Sequence, residues 1–234
     1  MPVQRPLVSV AIVDAHGAAF ASASHRGQTF VAGERGERYS LAVTNNSARR
    51  IEIVVTVDGR DVVSGKRGDF RKQRGYVIDP FRTVTIDGFR QSLASVATFR
   101  FSGVADSYAA RRGSARSVGV IGVAAFEEKV RPPMRHKDRH RRHSAPSSAE
   151  AGKSAGRSAP RQDLGTEYGE SRRSDVREVS FVRANSGTPS FRTAVFYDSE
   201  RGLAARGITM QPQPIELEHR DPWPALDPRF APPP

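Results

Sequence analysis

Residues 51–57 read Ile-Glu-Ile-Val-Val-Thr-Val and run directly into Asp58-Gly59. Ile51, Ile53, Val55 and Val57 recur at every second position, a period that puts all four on one face of a strand. Asp-Gly after such a stripe is the strongest short hairpin signal, because the tight turn needs positive φ at both residues. A return strand over residues 61–64 follows. This stretch commits the chain to a β-sheet.

The alternation recurs on both sides. Tyr39, Leu41 and Val43 alternate with small or polar neighbours, and residues 7–13, 28–32, 75–78 and 96–102 are further candidate strands. Asp87-Gly88, between Val84-Thr85-Ile86 and Phe89, predicts a second hairpin turn. Residues 117–126 (SVGVIGVAAF) are apolar on both alternations, as in a central strand covered on both faces, with Gly119 and Gly122 admitting another layer. A short buried helix is the competing reading, against which the two glycines weigh.

Further on, residues 176–183 and 190–197 alternate again through Val179, Phe181, Phe191, Thr193, Val195 and Tyr197, joined by a turn-rich connector over 184–189. Asp198-Ser199-Glu200-Arg201 is placed to cap one helical turn running through Leu203 to Arg206 and stopped by Gly207. Two strands alone cannot hold a core in water. Residues 176–210 are therefore expected to dock on the block formed by residues 1–128.

Short strands with turn signals at this spacing predict an all-β chain, a β-sandwich of jelly-roll or Ig-like type. A closed barrel is the alternative. No repeat of 20–50 residues is evident, so propellers and solenoids drop out.

Between the two β-rich parts the composition changes. Residues 129–175 offer only Val130, Met134, Leu164 and Tyr168 as large apolar or aromatic side chains, too little to offset the entropy of ordering. A disordered basic linker is the expectation. Residues 129–161 alone hold 10 basic and 2 acidic side chains, which accounts for two thirds of the net charge of +12. Residues 211–234 contain 8 of the 16 prolines and read as an extended tail without a P-x-x-P motif.

No apolar run is long enough for a membrane helix, and Met1-Pro2-Val3-Gln4-Arg5-Pro6 opens no apolar stretch of the signal-peptide kind. The absence of cysteine excludes disulfides, a thiolate nucleophile and cysteine zinc sites. A cytoplasmic location is the expectation.

Val57-Asp58-Gly59, Ser64-Gly65, Gly75-Tyr76-Val77 with Pro80, Gly88-Phe89-Arg90, Ser107-Tyr108-Ala109-Ala110 and Gly119-Val120-Ile121-Gly122-Val123 together resemble a family of uncharacterised bacterial proteins. The likeness spans roughly residues 36–127, and Tyr197-Asp198 extends it. It implies a bacterial source and a compact β-rich unit, and it carries no activity or site residue.

Motifs for chemistry are few. H-E-x-x-H, G-x-S-x-G, a phosphate-binding Walker loop and a dinucleotide fingerprint are all absent. His136, His140 and His143 have helical spacing, but Arg135, Lys137, Arg139, Arg141 and Arg142 surround them and repel a divalent cation. No metal and no cofactor is expected. Asp58, Asp61, Asp79, Asp87 and Asp106 fall at predicted turns, where aspartate bonds its own backbone.

The sharpest local feature is residues 64–75, Ser-Gly-Lys-Arg-Gly-Asp-Phe-Arg-Lys-Gln-Arg-Gly. Backbone amides freed by glycine can cradle a phosphate or carboxylate, with Lys66, Arg67, Arg71, Lys72 and Arg74 as counter-charges. The plainer reading is a solvated loop whose charges keep an edge from pairing.

Three functional readings follow. The leading one is a non-enzymatic structural or interaction protein, a β-sandwich scaffold whose basic arm attracts nucleic acid or an acidic protein through Arg131, Arg135, Lys137, Arg139, Arg141 and Arg142. The second is a hydrolase acting on a phosphorylated or acidic substrate held by the 64–75 loop. The third is a protein that assembles through exposed strand edges. The sequence names no catalytic residue and leaves the oligomeric state open.

Overall fold

A computed structural model describes residues 5–113, 116–130 and 162–210. The Asp58-Gly59 turn has the backbone expected of it, with φ of 54° and 74°. The strands among the described residues are, in chain order, β1 (Val8–Val13), β2 (Ser22–His25), β3 (Gln28–Ala32), β4 (Arg38–Asn45), β5 (Ile51–Val57), β6 (Arg60–Asp61), β7 (Tyr76–Ile78), β8 (Thr83–Ile86), β9 (Gly88–Arg90), β10 (Ser95–Gly103), β11 (Val120–Glu127), β12 (Leu164–Arg173) and β13 (Phe191–Asp198). The described residues also form two short helices, α1 (Tyr108–Arg111) and α2 (Glu200–Ala204). The chain is mainly β.

The strands form two sheets. One has the order β1-β4-β10-β12, with β8 on β4 and β9 on β10; the other has the order β2-β3-β13-β11-β5-β6, with β7 on β5. All pairings are antiparallel except that of β13 with β3, which is parallel. One apolar cluster joins the sheets: Leu41, Val43, Ile86, Phe99 and Phe101 from the first meet Ile53, Val55, Val57, Ile121 and Tyr197 from the second. Each of these large side chains contributes roughly 1.5–3 kcal/mol by leaving water. Tyr39 stacks on Phe99 and Phe101 at ring separations of 5.3 and 4.4 Å. Strand β11, apolar on both alternations, lies between β13 and β5.

The structure corrects four local expectations. The stretch expected to be disordered, 129–175, contains the ten-residue strand β12, which takes the open edge of β10. Its polar look is a two-faced strand: Leu164 and Thr166 are buried, while Glu167 and Glu170 on the outer face pair with Arg100 and Arg38. Residues 176–183 are no strand and make no hairpin with β13; only Arg183 forms a bridge, to Glu128. On their apolar stripe Val179 stays 40% exposed and Phe181 is only half-buried, so the alternation does not reach the core. Asp87-Gly88 is not a turn but the point where the chain passes from β4 to β10, and a Cβ on Gly88 would collide with the Ala97 carbonyl. The return strand after Asp58-Gly59 ends at Asp61, where a tight turn to Gly65 begins.

Helix α2 forms as its caps predict, with Ser199 Oγ accepting from Gly202 N and Gly207 at φ 74°. Residues 131–161 and 211–234 lie outside the described residues.

Candidate functional site

Residues 64–75 cross the outer face of the second sheet, and one arginine fixes them there. Arg183 donates from Nε to Glu52 Oε2 (2.6 Å), from Nη1 to the Phe70 carbonyl (2.6 Å) and from Nη2 to the Gln73 carbonyl (2.7 Å). Its guanidinium carbon lies 3.8 Å from the Phe126 ring centre. Glu52 Oε1 accepts from Gly75 N, so both carboxylate oxygens and all three guanidinium nitrogens of this buried pair are hydrogen-bonded. Inside the loop, Gln73 Oε1 accepts from Asp69 N and Gln73 Nε2 donates to the Arg67 carbonyl. Gly68 N donates to the Gly59 carbonyl, tying the loop to the hairpin turn. A basic loop held at this many points presents its charges from fixed positions.

Between the loop and β6 lies a recess of about 490 Å³ lined by Asp61, Ser64, Lys66, Arg67, Asp69, Lys72, Gln73 and Arg74, with Val63 at its edge. Four of the five cations singled out in the sequence meet here. The fifth, Arg71, turns away, donating to the Gly187 carbonyl and lying over Phe70. Among the described residues, Lys66, Arg67 and Arg74 have no carboxylate within salt-bridge distance, while Lys72 stands 3.9 Å from Asp69.

Asp61 is 1% exposed. Its Oδ1 accepts from Ser64 N (2.7 Å) and Ser64 Oγ (2.5 Å), and its buried Oδ2 has no partner among the described residues. Burial pushes its carboxyl above the usual range, partly offset by the Ser64 hydrogen bonds. Turn chemistry explains the Oδ1 bonds, as the sequence suggested. Nothing local signals that the same carboxyl is buried at the recess.

A second polar centre sits in the core. Asp58 Oδ1 accepts from Gly119 N (2.9 Å) and the Tyr197 hydroxyl (2.6 Å), and Oδ2 accepts from Thr166 N (2.7 Å). Thr166 Oγ1 lies 2.7 Å from Tyr197 Oη and 2.6 Å from Tyr39 Oη. Desolvation raises the Asp58 carboxyl to about 6, against these hydrogen bonds. Nearby, Asp198 Oδ1 accepts from the amides of Asp163, Leu164 and Ser199, and Oδ2 from Arg206 (2.7 Å). Both aspartates lie away from the recess lining and fasten the start of β12 to the second sheet.

Among the described residues no three His, Asp or Glu side chains gather as ligands for a metal ion. No helix there is long and apolar enough to cross a membrane. Arg131, Arg135, Lys137, Arg139, Arg141 and Arg142 lie outside the described residues. Comparison with protein-family models, with curated proteins and with solved structures gives no match to this chain.

Proposed function

We propose that this protein is a non-enzymatic binding module, a β-sandwich of jelly-roll or Ig-like type that holds an anionic group in the recess beside residues 64–75. The observation that carries the reading is the set of exposed cations, Lys66, Arg67 and Arg74, lacking carboxylate partners among the described residues and facing one recess behind a clamped loop. Cations carried on a clamped loop backbone bind an anion without the cost of first ordering that loop. The charge of residues 129–161 supports a companion role, long-range attraction to nucleic acid or an acidic protein. A bacterial source and a cytoplasmic location belong to the same reading, resting on the family resemblance and the lack of cysteine.

Amide NMR during titration with inorganic phosphate tests the recess. Shifts are expected over residues 61–74, and the double substitution Arg67→Ala, Arg74→Ala removes them. A spectrum unchanged at these amides overturns the reading. Deleting residues 129–161 tests the arm: heparin affinity equal to that of the intact chain reduces it to a spacer.

The 2.5 Å contact between Ser64 Oγ and Asp61 Oδ1 favours one second reading, a hydrolase of phosphorylated or acidic substrates. Release of phosphate from a phosphate monoester, lost in Ser64→Ala, would support it over simple binding.

A further inference from the structure

We infer that the recess takes a phosphate monoester bearing a hydroxyl close to its phosphate, with Lys66, Arg67 and Arg74 holding the dianion and Ser64 Oγ accepting the ligand's O–H. This rests on the anion-binding reading above and narrows it to a ligand class.

Charge sets the first requirement. The lining carries four cations, Lys66, Arg67, Lys72 and Arg74, and two carboxylates, Asp61 and Asp69. The excess of two positive charges matches a phosphate monoester in its doubly charged form. A simple carboxylate would neutralise half of it. Arginine adds a planar fork suited to two phosphate oxygens at once.

The second requirement comes from Ser64. A hydroxyl offers one donor and two acceptor lone pairs. The Ser64 proton is committed to Asp61 Oδ1 at 2.5 Å, and the Ser64 amide to the same oxygen at 2.7 Å. Asp61 holds that proton firmly, because its other oxygen is buried with no partner and Ser64 supplies its side-chain donor. Toward the recess Ser64 Oγ therefore acts as an acceptor. The donors now near it, Lys66 N and Gln73 Nε2, both stand at 3.4 Å, beyond the usual N–H···O range. Gln73 gives its short hydrogen bond to the Arg67 carbonyl and its oxygen to Asp69 N, so only its second amide proton reaches toward Ser64 Oγ, at this long distance. An exposed acceptor beside unpaired cations calls for an O–H donor beside an anion. Asp61 is a positioning residue here, acting through Ser64.

The test compares two probes of equal charge, glycerol 3-phosphate and methyl phosphate, by calorimetry and by amide shifts of the full chain. One added hydrogen bond predicts about three- to tenfold tighter binding of glycerol 3-phosphate. Ser64→Ala is expected to bring the ratio to one while methyl phosphate still binds, and Ser64→Thr to retain the preference. Equal affinity of the wild-type protein for the two probes overturns this inference and leaves the anion site standing. A preference that survives Ser64→Ala overturns the role of Ser64. If neither probe moves the amides of residues 61–74, the anion site fails and this inference with it. The wild-type comparison needs no variant, so it holds even if a substitution impairs folding.

Discussion

Asp58 makes the stability of this fold depend on pH, and the structure gives both sign and size. The residue is 1% exposed, and its carboxyl is raised from 3.8 to about 6, chiefly by desolvation. A folded-state value above the unfolded one means that the native chain binds this proton more tightly. The resulting stabilisation is complete below the unfolded value and fades as pH rises through 6. A shift of that size corresponds to about 3 kcal/mol, of which about 2–3 kcal/mol appears between pH 7 and pH 4. The network can take the proton, because the Tyr197 hydroxyl can swing its own toward Thr166 Oγ1 and accept from the carboxyl.

Asp58→Asn isolates the effect. Asparagine tolerates the φ of 54° at this turn. Its oxygen can still accept from Gly119 and Tyr197, but its NH2 then faces Thr166 N, a pH-independent loss of about 1–3 kcal/mol. Urea unfolding of both proteins at pH 4, 5, 6, 7 and 8 provides the assay. Asp61 and Asp198, whose carboxyls burial also raises, are present in both chains and cancel in the difference. The wild-type advantage should grow by about 2–3 kcal/mol from pH 7 down to pH 4. Parallel curves would refute the assignment. Tyr197→Phe removes a hydrogen bond that lowers the Asp58 value, so its midpoint should move upward.

Arg183→Met leaves Glu52 charged and unpaired at a buried position, and should cost about 3–5 kcal/mol in urea unfolding. Hydrogen exchange over residues 64–75 should rise in the same variant, since Arg183 holds both Phe70 and Gln73. Gly88→Ala drives a methyl into the Ala97 carbonyl and is expected to lower the melting temperature sharply, whereas Gly36→Ala, with open space around it, should act only through its φ of 90°. Glu170 should titrate at about 2 by carbon NMR, because Arg100 bonds its charged form; Arg100→Met should return it toward 4.5.

The strands visible in the sequence are those whose stripes reach the shared core. Ile51 to Val57 bury their stripe wholly, and the Asp-Gly turn that follows adopts the backbone its residue types favour. Strand β12 escaped because its partners, not its own side chains, make it a strand. Gly165 and Gly169 permit close approach to Ser107 and Thr98, and its outer glutamates read as linker until Arg38 and Arg100 stand opposite. Residues 176–183 show the converse, an alternation whose Val179 and Phe181 join no core cluster. At the candidate site the cations were legible as a cluster, yet Arg71 could not be told from its neighbours. The clamp by Arg183, more than a hundred residues away from Phe70 in the chain, has no local signal at all.

Sequence by itself determined the mainly β character, the hairpin at Asp58-Gly59, the capped turn at Ser199 and the concentration of positive charge, because each follows from neighbours in the chain. Only the tertiary structure decided which strand took the edge of β10, which aspartates were sealed from water and which cations were left facing a recess. Burial, edge pairing and charge pairing are properties of residues that meet in space. Local order along the chain does not encode those meetings.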